Sequence, residues 1–163
     1  MPVEKNMHRT RHLFFFNHDW LFENDLTKLF TTIKSWKVLI MGVIFMCGLF
    51  NLGFALFHTE FWRIFQWNSE LRTLSFANRA IMQILNIQII YYFVSTAFIC
   101  FAFSEELMST KLGNVFLITS SLFWFIRATQ QFIFLRANHY AIHILTILFL
   151  TGAILFALPI FIK

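Results

Sequence analysis

Four apolar runs, each long enough to cross a lipid bilayer, leave this chain few folds to choose from. They cover residues 37–57, 79–103, 113–135 and 139–162. About 20 residues at roughly 1.5 Å of rise match a hydrocarbon core of about 30 Å. In lipid every backbone amide must be satisfied within the protein, so a run of this length crosses as a helix. The eight carboxylates, from Glu4 to Glu106, all lie outside the runs. Only 13% of residues are charged, where a soluble domain carries about a quarter. The expected fold is therefore all-α: an integral membrane four-helix bundle over 37–163, preceded over 1–36 by a basic tail and an N-terminal interfacial amphipathic helix.

Residues 1–12 are polar and basic and are expected to be poorly ordered, with His8 and His12 an ordinary surface pair. Residues 13–36 carry too many charges to span. Asn24 or Asp25 would cap a helix whose Leu26, Leu29, Phe30 and Ile33 recur at helical spacing, with Lys28 and Lys34 on the other face. Such a helix lies in the membrane interface and feeds the first span. No small-residue cleavage site follows, so that span serves as the targeting signal. Residues 58–78, rich in Phe and Trp among Arg63, Glu70 and Arg72, read as an interfacial elbow. Residues 104–112 and 136–138 read as short connections, the second closing a tight helical hairpin. Gly42, Gly48 and Gly53 would admit a neighbouring helix at close range. Cys47 and Cys100 fall inside apolar runs and behave as small hydrophobes rather than a disulfide or a metal pair.

The net charge of +5 does not indicate a nucleic-acid partner, because the basic residues sit at segment ends, where anionic headgroups meet them. Lys5, Arg9, Arg11, Lys28, Lys34, Lys37, Lys111 and Lys163 share one side; Arg63, Arg72, Arg79 and Arg136 share the other. That bias predicts both termini in the cytoplasm, in a bacterial inner (cytoplasmic) membrane.

Polar groups inside the runs are expensive and so carry the functional expectations. Ser120, Trp124, Arg127 and Gln131 recur on one helical face. Arg79, Gln83 and Asn86 form a strip at the start of the second span. Gln88, Tyr91 and Ser95 form another on a different side, which predicts protein neighbours on both. Alternation of four spans brings Asn51 and His58, Arg79, Gln83 and Asn86, Arg127, Gln130, Gln131 and Arg136, and His139 and His143 toward one leaflet, so the bundle should have a dry half and a polar half. Arg127 lies nine residues before Arg136, about 14 Å along a helix and near the midplane. No intramembrane carboxylate can pair with it, and a guanidinium there costs roughly 2.5–3.5 kcal/mol.

Three readings follow. Arg127 with Gln83, Asn86 and Gln131 is interhelical glue; or it is the anchor of a polar pocket, with Gln131, Gln83, Asn86, Asn51 and Arg79 around it and Glu60 able to reach in; or His139 and His143, with His58, hold a metal or haem. No HExxH, GxSxG or Walker loop is present, nor paired intramembrane carboxylates. The favoured expectation is a non-catalytic subunit or accessory protein. Its pocket would bind a partner helix, a lipid headgroup or a small anion, and its partners would be membrane lipids and another membrane protein or a second copy. The alternative is a haem- or quinone-linked redox protein using His139 and His143.

Overall fold

The computed structural model describes residues 4–135 and 139–162, with side chains from residue 27 onward. All elements among them are helical: α1 (Glu4–Thr59), α2 (Phe61–Ile64), α3 (Trp67–Glu70), a 3-10 turn (Leu71–Thr73), α4 (Phe76–Ala102), α5 (Ser104–Ser109), α6 (Lys111–Phe134) and α7 (Tyr140–Phe161). Four helical segments, Thr27–Thr59, Phe76–Ala102, Lys111–Phe134 and Tyr140–Phe161, are long and apolar enough to cross a membrane. The chain is an integral membrane protein with an all-α four-helix bundle.

The amino-terminal half differs from expectation. α1 runs unbroken through Asn24 and Asp25, so neither residue starts a helix, and residues 4–12 are helical rather than irregular. The physical reason is the absence of a breaker: no Gly or Pro occurs between Pro2 and Gly42, and charged side chains do not interrupt a helix. The side chains of His8, His12 and Leu26 lie outside the described residues. The chain divides into two units, residues 1–39 and 40–163. In the first, Leu29, Phe30, Ile33 and Trp36 are all exposed.

In the second unit all four spans meet at Trp124, whose side chain is 1% exposed. Its ring packs on Phe50 and Phe54 of α1 (4.9 and 4.7 Å between centroids), Phe93 of α4 (5.3 Å, stacked) and Phe149 of α7 (5.9 Å). Aromatic faces and edges of this kind add about 0.5–1.5 kcal/mol per pair beyond buried area. Around them Ile44, Leu117, Cys47, Cys100 and Phe156 are fully enclosed. α6 and α7 pack closely against each other, as the expected hairpin requires; the turn between them, 136–138, lies outside the described residues. Ser121 Oγ donates to the Ala153 carbonyl at 2.7 Å, and Cys47 Sγ to that of Leu155 at 3.4 Å.

Two of the three glycines expected to mediate close approach do not. A Cβ on Gly42 or Gly53 would meet nothing within 4 Å, whereas one on Gly48 would overlap the Phe101 ring. Sequence spacing could not tell a packed face from an open one on so uniformly apolar a helix. The most constrained glycine is Gly113. Its amide donates to the α6 N-cap, Thr110 Oγ1, at 2.9 Å, and a Cβ there would run into the Leu107 backbone. Backbone cannot step aside as a ring can, so Gly113→Ala should destabilise by about 2–3 kcal/mol. Gly42→Ala should be neutral within about 0.5 kcal/mol. Thermal unfolding of both variants in mild detergent checks the contrast.

The elbow is knitted by rings, with Trp67 against Trp62 (5.2 Å) and Phe61 (5.8 Å). Between α2 and α3, Gln66 sits in the left-handed region at φ 47°, which costs a Cβ-bearing residue roughly 1–2 kcal/mol. Gln66→Gly should therefore raise the unfolding temperature slightly, and Gln66→Val should lower it.

Candidate functional site

A cavity of about 800 Å³ opens inside the bundle, walled by α1, the elbow, α4, α6 and α7. Its walls are Leu49, Phe50, Gly53, Phe54 and Phe57 of α1, Phe61, Ile64 and Phe65 of the elbow, Ile89 and Phe93, Phe123 and Trp124, and Ile142, Leu145, Leu148 and Phe149. Arg127, Gln131, His58 and Tyr140 bring the polar atoms. Leu49 on α1 and Ile144 and Leu148 on α7 line the cavity and are also exposed. The same holds of Ile64 and Phe65 of the elbow, Leu135 and Tyr140, so the cavity opens both between α1 and α7 and at its elbow end. The size falls within the roughly 300–1,000 Å³ of small-molecule sites.

α6 delivers the cation as its sequence pattern dictates. Ser120, Trp124 and Gln131 are buried on the face that includes half-buried Arg127. Arg127 is seven residues from the end of α6 at Phe134, or about 10 Å, and lies nearer the middle of the helix than its end. Its Cζ lies 4.9 Å from the Phe149 ring centroid, an arrangement worth about 2 kcal/mol when desolvated. Among the described residues none accepts a hydrogen bond from the guanidinium, and Glu60, expected to reach inward, pairs instead with Arg63 at 3.0 Å on the exposed surface. The cation therefore faces a greasy space with a ring on one side and no counter-charge.

Two neighbours have polar atoms without partners. Gln131 is 1% exposed; its Nε2 donates to the Ile142 carbonyl at 2.8 Å, tying α6 to α7, while its Oε1 is buried and unpaired. His58 is held between Phe61 (4.3 Å) and Phe93 (5.4 Å), and its Nδ1 is likewise buried and unpaired. Such orphaned atoms cost about 1–3 kcal/mol each.

The remaining expected site residues lie elsewhere. Asn51 is fully buried and donates to the Cys47 carbonyl one turn back (2.9 Å). Gln83 donates to Arg79 O (3.3 Å), and both line a separate, shallow groove on α4. Asn86 donates to the His58 carbonyl (3.1 Å), fastening α4 to the end of α1. Instead of a shell around Arg127, each amide is engaged by a nearby backbone carbonyl, the commonest partner of a side-chain donor. The pocket is consequently apolar with one cationic point, not a polar half of the bundle.

His139 caps α7, its Nδ1 accepting from the Ala141 amide at 3.3 Å, and neither it nor His143 lines the cavity that His58 faces. Among the described residues no three His, Cys, Asp or Glu side chains form a group able to hold a metal. The aromatic walls Phe93 and Phe149 were not expected from sequence. Phe149 lies in a helix apolar all round, where no periodicity marks the inward side. Comparison of the chain with protein-family models, characterised proteins and solved structures yields no match.

Proposed function

We propose that this small polytopic membrane protein is a non-catalytic accessory protein that holds a single-chain anionic amphiphile, such as a fatty acid or lysophosphate lipid, in the bundle cavity. The observation that carries this reading is Arg127, a cation without a described counter-charge in a space otherwise walled by aliphatic and aromatic side chains. An anionic headgroup supplies the charge, and in a lysophosphate a hydroxyl on the headgroup also donates to Gln131 Oε1. The tail runs along Phe50, Phe54 and Leu145 toward the opening between α1 and α7. The lysine-rich segments place both termini in the cytoplasm on this reading.

Gly53 provides the test, because it lines the cavity and has open space where a side chain would go. Wild-type protein purified in mild detergent should carry about one acidic single-chain amphiphile per chain by mass spectrometry of its organic extract. Gly53→Leu should fill the space, keep its unfolding temperature and lose the amphiphile. Equal lipid content in the two proteins, or only bulk two-chain phospholipid in both, overturns the proposal.

A further inference from the structure

α4 presents a second surface that the bundle leaves uncovered. Ile84, Gln88, Tyr91, Ser95, Phe98 and Ala102 are spaced by four, three, four, three and four residues, the 3.5-residue period of a left-handed helix pair. The seam points outward: Ile84 is 56%, Tyr91 69% and Phe98 62% exposed, Gln88 and Ala102 are exposed, and Ser95 is half-buried. Gln88 is twelve residues from the start of α4 and fourteen from its end, so its amide sits near mid-membrane. The other exposed polar groups of the spans are accounted for locally. Thr119, Thr129 and Thr151 donate to carbonyls of their own helix, and Gln130 is four residues from the end of α6, within reach of the boundary. The side chains of Gln88, Tyr91 and Ser95 make no hydrogen bond to any described residue.

An amide facing hydrocarbon at that depth needs a partner from outside the chain. We propose that the partner is the same face of a second copy, giving a parallel two-fold dimer along α4. Insertion gives both copies one orientation, and a two-fold axis then sets each seam residue against itself. A carboxamide is self-complementary, since each copy both donates and accepts. Small Ser95 and Ala102 occupy the same heptad position as Gln88, alternating with Ile84, Tyr91 and Phe98, so the backbones can approach at two levels and the large side chains fill the intervening ones.

Single cysteines introduced in turn from Ile84 to Ala102 of the full chain, oxidised in membranes, test this. Native Cys47 and Cys100 are fully buried, so the unsubstituted chain is the background. Disulfide-linked dimer should peak at positions 84, 88, 91, 95, 98 and 102, fall at the flanking Leu85 and Ile87, and be low for a control cysteine at Ile118 on α6. Gln88→Leu should weaken dimerisation about tenfold, read by energy transfer between labelled copies in lipid vesicles, while Gln88→Asn retains most of it. A flat cross-linking profile, a linked product of another mass, or dimerisation unaffected by Gln88→Leu overturns the proposal. If Gln88→Leu does not accumulate, the cysteine profile decides alone.

Discussion

Arg127→Gln is expected to bind oleate about a hundredfold more weakly than the unaltered chain, yet to insert and fold at least as well. The two effects have opposite signs for a physical reason. Truncating one partner of a desolvated charge pair costs about 2–5 kcal/mol in binding, and a hundredfold is ~2.7 kcal/mol. In the free protein, however, the guanidinium is a burden of roughly 2.5–3.5 kcal/mol, partly offset by the ring of Phe149 at 4.9 Å, worth about 1–2 kcal/mol for a half-buried cation. Removing it should therefore leave the unfolding temperature unchanged or raise it. Oleyl alcohol, with the same tail and no charge, should bind both proteins equally. Equilibrium titrations in fixed detergent, with a thermal scan of each variant, check all three statements. Were Arg127 interhelical glue, Arg127→Gln would lower the unfolding temperature and leave the preference for oleate untouched.

How much of this could be read beforehand depends on the kind of pattern each element carries. The four spans were legible because length and apolarity are imposed by the bilayer itself. So was the inward face of α6, where Ser120, Trp124, Arg127 and Gln131 interrupt an apolar helix at helical spacing and are buried or half-buried. The inward face of α7 was not: Thr146, Phe149, Gly152, Ala153 and Phe156 are buried, but the helix is almost uniformly apolar and gives no contrast. Charges in residues 13–36 suggested a break before the first span, yet charge alone does not end a helix, and α1 continues through them. The amides misled in another way. Their spacing correctly placed Asn86 and Gln131 toward protein, but the sequence could not show that each would be met by a backbone carbonyl. The strip at Gln88, expected to have a protein neighbour, is left largely uncovered by the chain's own helices.

Trp124→Ala should be the most damaging single truncation in the bundle, costing about 4 kcal/mol and lowering the unfolding temperature by on the order of 10 °C. The indole is 1% exposed and touches rings from α1, α4 and α7 while belonging to α6, so its loss removes the larger of two side chains, with Phe54, on which all four spans converge. Neighbouring backbone cannot collapse into the gap, because α6 and α7 are already in close contact through Ser121 Oγ and the Ala153 carbonyl. Trp36→Ala, at a site 51% exposed, should change stability by less than about 0.5 kcal/mol. Trp124 also forms part of the cavity wall, so its truncation enlarges the cavity instead of opening a sealed void. An apolar space of that kind can be refilled by an apolar guest. Oleate at saturating concentration should therefore recover several degrees of the lost unfolding temperature in Trp124→Ala. It should recover much less in Trp124→Ala combined with Arg127→Gln, where the tail would still fit but the headgroup would have no cation to meet.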